Sequence, residues 1–268
     1  MKENTAKNGK KIAGLALTAV LVVGSLGTAA ALAANGSDAV PKDTVMSASA
    51  SISPSDTAAV AQGTIQYSKD VYARADGSQD FTMESWYNPE TKDLRSDLHE
   101  YSPDHQLIRY QSTYYVNSGN DLIIIQRDAN GNPTSGTIMK RADQPTIFTK
   151  YEKTNHGYNG VKDYLTGGRW TSIGTEQTAD GKTLNKLMSS YQSYISDTTQ
   201  ANMQLIEFVD QDTGLPVKEE LYEDSTGQYK LFSTDISEYK YVTDDGMLFK
   251  PGNITLTSAP GPSVTLGK

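Results

Sequence analysis

The sequence predicts a mainly β domain (α+β): one large antiparallel sheet with short helices laid over it. Three observations point there. Between Gly63 and Lys250, short runs of alternating apolar and polar residues recur, separated by turn-forming clusters. Residues Met203 to Val242 read as a three-stranded meander with two tight turns, Asp210-Gln211-Asp212-Thr213-Gly214 and Asp224-Ser225-Thr226-Gly227. Tyrosine outnumbers phenylalanine 16 to 5, which suits amphipathic sheet surfaces better than a helix bundle.

Taken in order, the chain opens with an export signal. Lys10 and Lys11 precede an uncharged run from Ile12 to Ala34, ending in the small residues around Ala31-Leu32-Ala33. Two readings fit: a secretory signal peptide over 1–34 that is cleaved, or an uncleaved membrane anchor through residues 12–34. Either places the bulk of the chain outside the cytoplasm, secreted or held at the membrane. Residues 35–62 are a flexible tether: the first 26 contain no aromatic residue, and 16 of them are Ala, Ser, Thr, Pro or Gly. A short helix is expected at its end, capped at Ser53-Pro54-Ser55-Asp56 and stopped by Gly63.

The domain spans 63–250, followed by a C-terminal tail over 251–268. Strands are expected at Thr64–Arg74, around Phe81–Tyr87, around Leu94–His99 and around Ile108–Val116. Two more follow, at Leu122–Ile125 (apolar on both faces, hence covered on both sides) and Thr137–Lys140. The middle departs from the pattern. Asp143 with Pro145 starts a helix carrying Ile147, Phe148 and Tyr151, and Asn159 caps a second running to Leu165. Strands resume at Trp170–Gln177 and Thr183–Tyr191 before the meander. In its middle strand, opened by Pro216, Val217, Glu219, Leu221 and Glu223 point one way and Lys218, Glu220 and Tyr222 the other.

The net charge is −8 overall, but beyond residue 34 it is −11, with 20 basic against 31 acidic residues. That disfavours nucleic acid and anionic headgroups as partners. With no cysteine, disulfides, thiolate metal sites, Cys nucleophiles and a lipid-attachment cysteine are excluded.

A strand-rich first half, a helical insert, Gly168-Arg169-Trp170 opening a strand and the hairpin Asp210-Gln211-Asp212-Thr213-Gly214-Leu215-Pro216-Val217-Lys218-Glu219-Glu220 together form an outline. It resembles the LolA-like lipoprotein-carrier superfamily, whose members include mycobacterial lipid-binding lipoproteins and periplasmic regulators of anti-sigma factors. The resemblance covers about Gly63 to Lys250. It implies a curved half-barrel whose concave face is partly closed by helices over an apolar cavity. Two features depart from that pattern. The long opening helix is missing or reduced to the Ser53–Gly63 piece, and the lipobox cysteine is absent.

Candidate chemistry is sparse. Arg95, Asp97 and His99 share one strand face, where a His beside a carboxylate suits acid–base work but a solvated row of charges is the simpler reading. No Ser sits in a G-x-S-x-G elbow. Asp128, Asn130 and Asn132 alternate like the start of a calcium loop, but Pro133 and Met139 stand where Gly and Glu are required, so a hairpin turn is expected. Asp210 and Asp212 read as turn formers, and His99, His105 and His156 lack zinc spacing. Glu84 with Glu219, or Glu220 with Glu223, are weighed as a glycosidase pair and set aside as outward-facing strand acids.

The expected function is therefore non-enzymatic binding, with no cofactor and no metal. Phe81, Met83, Ile108, Tyr110 and Tyr114 are candidates for lining a ligand cavity, together with Leu205, Leu221 and Phe232. Phe148 and Tyr151 would form its lid. An ordinary packed core is the competing reading of the same residues. The expected partner is a lipid or acylated ligand in a concave sheet; the alternatives are a membrane protein regulated by a tethered domain and, third, a surface hydrolase using His99.

Overall fold

The computed structural model describes residues 63–143, 156–194, 200–224 and 227–259. The leader, the tether, the helix at Ser53 and the helix carrying Phe148 and Tyr151 lie outside them. Among the described residues no helix is long and apolar enough to cross a membrane.

The protein is mostly β. Its first half holds β1 (Ile65–Arg74), β2 (Gln79–Tyr87), β3 (Leu94–Tyr101), β4 (Leu107–Val116), β5 (Asp121–Arg127) and β6 (Pro133–Lys140). One described helix follows, α1 (Gly157–Thr166). The second half holds β7 (Thr171–Gln177), β8 (Thr183–Tyr194), β9 (Gln200–Asp210), β10 (Pro216–Asp224), β11 (Lys230–Val242) and the short β12 (Leu256–Ser258). All 12 strands form one sheet in the order β12-β6-β5-β4-β3-β2-β1-β11-β10-β9-β8-β7. Its two end strands do not pair, so the sheet is open rather than closed into a barrel.

Turn chemistry makes two hairpin-linked wings. In the β9–β10 turn, Asp210 Oδ1 accepts from the backbone N–H of Asp212 (2.8 Å) and Thr213 (3.0 Å), and Gly214 adopts φ +69°, a region costly for any side chain. The β5–β6 turn works the same way: Asp128 Oδ1 accepts from Asn130 and Asn132, each at 2.9 Å. A hairpin turn, not a calcium loop, is what this Asp-Asn-Asn spacing makes. The wings join where β1 pairs with β11 along ten residues, from Ile65 opposite Val242 to Arg74 opposite Ser233.

Strand alternation gives the sheet two different faces. On one lies α1, anchored by the Tyr158 hydroxyl, which shares its proton between the carbonyls of Tyr67 and Lys240 at 2.6 Å each. Gly157 allows the close approach: its φ is +67°, and a Cβ there would sit 2.1 Å from Gln66 Oε1. Tyr158, Val161 and Leu165 of α1 pack with Val209 and Leu215. Farther along the same face, Tyr87, Leu94, Tyr115, Leu122 and Met139 form a second apolar row, one residue from each of β2–β6.

At its β4–β6 end the opposite face is covered by the chain after β11. Ile254 and Leu256 pack on Tyr114, Ile123 and Ile125, and β12 joins β6 in parallel. This explains why β5 is apolar on both faces. β12 itself lies in the stretch read from sequence as a tail; a three-residue strand that pairs with residues over a hundred positions away leaves no periodic signal.

Candidate functional site

The helix face carries a row of acids at the junction of the two wings. In register, Tyr72 on β1 faces Asp235 on β11, Asp235 faces Glu219 on β10, and Glu219 faces Glu207 on β9. Asp70, two residues before Tyr72, faces Ser237. Strand alternation alone puts all four carboxyls on one side of four adjacent strands. They are also out of water: relative exposure is 0% for Asp70, 1% for Glu207, 2% for Asp235 and 8% for Glu219.

Apolar residues flank the row. Leu205 and Leu221, opposite each other one step along β9 and β10, pack with Ala201 and Met203. On the β2 side Met83 faces Asp70, and Phe81 stacks on Tyr72 with ring centroids 4.0 Å apart. The polar partners are few. Ser237 Oγ donates to Asp70 Oδ1 at 2.8 Å, the Tyr72 hydroxyl and the Val71 backbone bond to Asp235, and Glu207 bonds to Glu219. Asp70 Oδ2, Glu207 Oε1 and Asp235 Oδ1 are buried without a hydrogen-bond partner.

Four carboxylates cannot all ionise here. Facing residues in a ladder hold their Cβ atoms about 5 Å apart, and two unit charges at such a distance repel by about 3 to 4 kcal/mol even at an effective dielectric constant near 20. Burial pushes Asp70 up to about 7, with the Glu219 charge adding to it against the Ser237 hydrogen bond. Burial likewise pushes Glu219 up to about 7, moderated by its bond to Glu207 and by the Arg169 guanidinium. Glu207 and Asp235 rise well above the ordinary carboxylate range, through burial first and neighbouring acids second. The row therefore stores protons near neutrality, and Glu207 with Glu219 is an acid–carboxylate pair. Among the described residues no group of three or more His, Asp or Glu has a geometry that could hold a metal ion.

Beside the acids, the helix face over β1–β4 is hydroxyl-rich and amide-rich. Ser68, Ser85, Ser96 and Thr113 stand in one cross-strand row, with Ser85 and Ser96 hydroxyls 3.0 Å apart. In the next row, Gln126 Nε2 donates to Gln111 Oε1 at 3.0 Å and Gln111 Nε2 to Thr113 Oγ1 at 3.1 Å.

The cavity residues anticipated from sequence are dispersed. Met83, Leu205 and Leu221 are buried on the helix face, and Phe81 joins them there. Tyr110 and Tyr114 project from the opposite face, where Tyr114 is buried beneath the C-terminal segment. Ile108 and Phe232 are 59% and 49% exposed. Phe148 and Tyr151 lie outside the described residues. The sheet thus separates residues that a single hollow would need on one side, because bulges in β3–β4 and β10–β11 and the fixed strand period decide the face.

Arg95, Asp97 and His99 do share one strand face, but it is not the solvated row of charges expected from sequence: Asp97 is buried and Arg95 is largely so. Arg95 Nη2 pairs with Asp97 Oδ2 at 2.6 Å, its guanidinium lies over the Trp86 and Tyr114 rings at 4.8 and 5.4 Å, and the Tyr110 hydroxyl is 3.4 Å from Asp97. His99 lies against the Tyr110 ring, 4.0 Å between centroids, while the Asp97 carboxylate is engaged by Arg95. Glu84 accepts from the Tyr67 hydroxyl on this face, opposite to Glu219. Glu220 pairs with Lys218 here too, whereas Glu223 follows Glu219 and Leu221 on the other side. Neither weighed glycosidase pair is therefore assembled. Of those residues only Glu219 belongs to the buried row; sequence pattern does not single out Asp70, Glu207 and Asp235. Their signal was an acid at an inward position between apolar residues, as in Leu205-Ile206-Glu207-Phe208-Val209.

No protein-family model matches the sequence, and no curated protein matches it. Among solved structures, the chain is similar to PNGF-II at 12% identity, with 73% of this chain and 31% of that one covered and a TM-score of 0.31. It is similar to a chain of the Pseudomonas aeruginosa MucA/MucB complex at 17% identity, covering 68% of this chain and 54% of that one, with a TM-score of 0.34. A β-barrel-like protein of unknown function from Brucella abortus follows at 10% identity, covering 67% and 97%, with a TM-score of 0.22. The chain spans about a third of the PNGF-II chain and about half of the chain from the MucA/MucB complex. Likeness at this level says nothing about ligand or reaction; the protein's own features are an open antiparallel sheet with a buried acid row on the face that carries its described helix.

Proposed function

We propose that this chain is an exported, non-enzymatic binding domain that docks a polypeptide partner on the helix face of its sheet. The observation that carries this reading is the cross-strand band of Ser68, Ser96, Thr113, Gln111 and Gln126, partly exposed on that face. Hydroxyl and amide side chains set in rows match the donors and acceptors of an extended backbone; a hydrocarbon chain would strip their water without replacing it. The leader read from sequence supports export, and its retention would tether the domain beside a membrane partner. A lipid or acylated ligand, the occupant anticipated from sequence, has less to bind there: the apolar residues Met203, Leu205 and Leu221 are buried, with Trp170 and Tyr191 packed against them.

Site-specific photo-crosslinking tests it. A benzophenone side chain at Ser96 in the exported protein is expected to trap one partner, and Gln111→Leu with Thr113→Val to abolish the adduct while leaving the fold intact. An adduct indifferent to those changes, or lipid recovered in place of protein from the purified domain, overturns the reading.

A further inference from the structure

We propose that the Asp70, Asp235, Glu219 and Glu207 row is a proton-operated latch: protons bound to it hold β1, β11, β10 and β9 together, and their loss loosens that part of the sheet. The ligand is the proton itself. Three carboxyl oxygens, Asp70 Oδ2, Glu207 Oε1 and Asp235 Oδ1, are unpartnered in residues no more than 2% exposed. An ionised oxygen left in that state has neither water nor a donor to satisfy it; a protonated carboxyl has less to satisfy.

Among the described residues, the surroundings supply little compensating charge. β1 brings Asp70 and Tyr72, β11 brings Asp235, β10 brings Glu219, and β9 brings Glu207. On the flanking strands, β8 offers Tyr191 with the uncharged Leu187 and Ser189, and β2 offers Phe81 and Met83. From the segment after α1 comes Arg169, which acts on Glu219 and Tyr191. One guanidinium, stacked on the Tyr164 and Trp170 rings and itself exposed, faces four acids.

The direction follows from linkage. In the unfolded chain these acids ionise near 4, whereas in the folded protein burial pushes Asp70 and Glu219 up to about 7 and raises Glu207 and Asp235 well above their ordinary range. Between those limits the folded state holds more protons, so stability declines as pH rises. This is opposite to the usual behaviour of paired carboxylates. The inference stands on the buried row alone and survives if no partner binds the helix face.

Thermal unfolding of the purified domain across pH 5 to 8 at fixed ionic strength tests it. The midpoint should fall by about 5 °C or more on going up in pH, with faster amide exchange in β9–β11 than in β3–β5 once intrinsic rates are corrected. Glu207→Gln and Asp235→Asn should each flatten the profile. A flat or rising wild-type midpoint, or variants as steep as wild type, overturns the latch. Should the variants fail to fold, infrared spectra of the wild type decide: a protonated-carboxyl band at pH 6 that fades by pH 9 supports it, and no such band sinks it.

Discussion

Glu207 on β9 and Glu219 on β10 face each other across the ladder, and the Glu207 carboxyl donates a hydrogen bond to Glu219. The bond raises the affinity of Glu207 for its proton and lowers that of Glu219, which fixes where the shared proton sits. Glu219 therefore ionises first of the two.

Replacing Glu219 by Gln removes that ionisation and keeps the shape. Its folded-state value of about 7 exceeds the unfolded value, so the wild type loses up to about 3 kcal/mol as pH climbs through the interval. Urea unfolding should find Glu219→Gln within about 1 kcal/mol of wild type at pH 4 and more stable than wild type at pH 8.

Tyr158→Phe tests the anchorage of α1. The change removes one hydroxyl that lies 2.6 Å from both the Tyr67 and Lys240 carbonyls and is itself buried. A cost of about 1 to 2 kcal/mol is expected, and hydrogen exchange in α1 should rise more than in β3–β5. Equal loosening everywhere would contradict an anchoring role.

On the other face, Arg95→Met should be far more damaging than its partial exposure suggests. It strands the Asp97 carboxylate, 4% exposed, without the ion pair at 2.6 Å, and breaking a buried pair from one side costs about 3 to 5 kcal/mol. Adding Asp97→Leu should recover most of the loss in equilibrium unfolding.

Truncation after Asp245 should uncover Tyr114, Ile123 and Ile125 by removing Ile254 and Leu256. The expected results are binding of an apolar dye and a midpoint lowered by about 5 to 10 °C. A truncated domain that melts like the intact one would mean this cover contributes nothing.

Much of the fold could be read from local pattern. The meander strands, the Asp210 and Asp128 turns and the helix ending near Leu165 all follow from residues close in sequence. The face assignment of Glu219 and Leu221 was also readable, since it needs only strand alternation. What could not be read was register between strands far apart in the chain. Asp70 meets Ser237 and not a neighbouring residue only because β1 pairs with β11 in one alignment out of many. For the same reason Tyr110 and Tyr114 could be seen to share a face, but not that the chain beyond Asp245 would cover it.

That β1–β11 ladder also sets a timetable. Among the described residues every other antiparallel pairing links strands adjacent in the chain, whereas this one joins Ile65 to Val242. Closing so long a loop is entropically costly and is repaid only once the two ribbons meet, so their zipping should be the slow kinetic step. A nascent polypeptide cannot take it until the final strands have emerged, and it stays threadable until then.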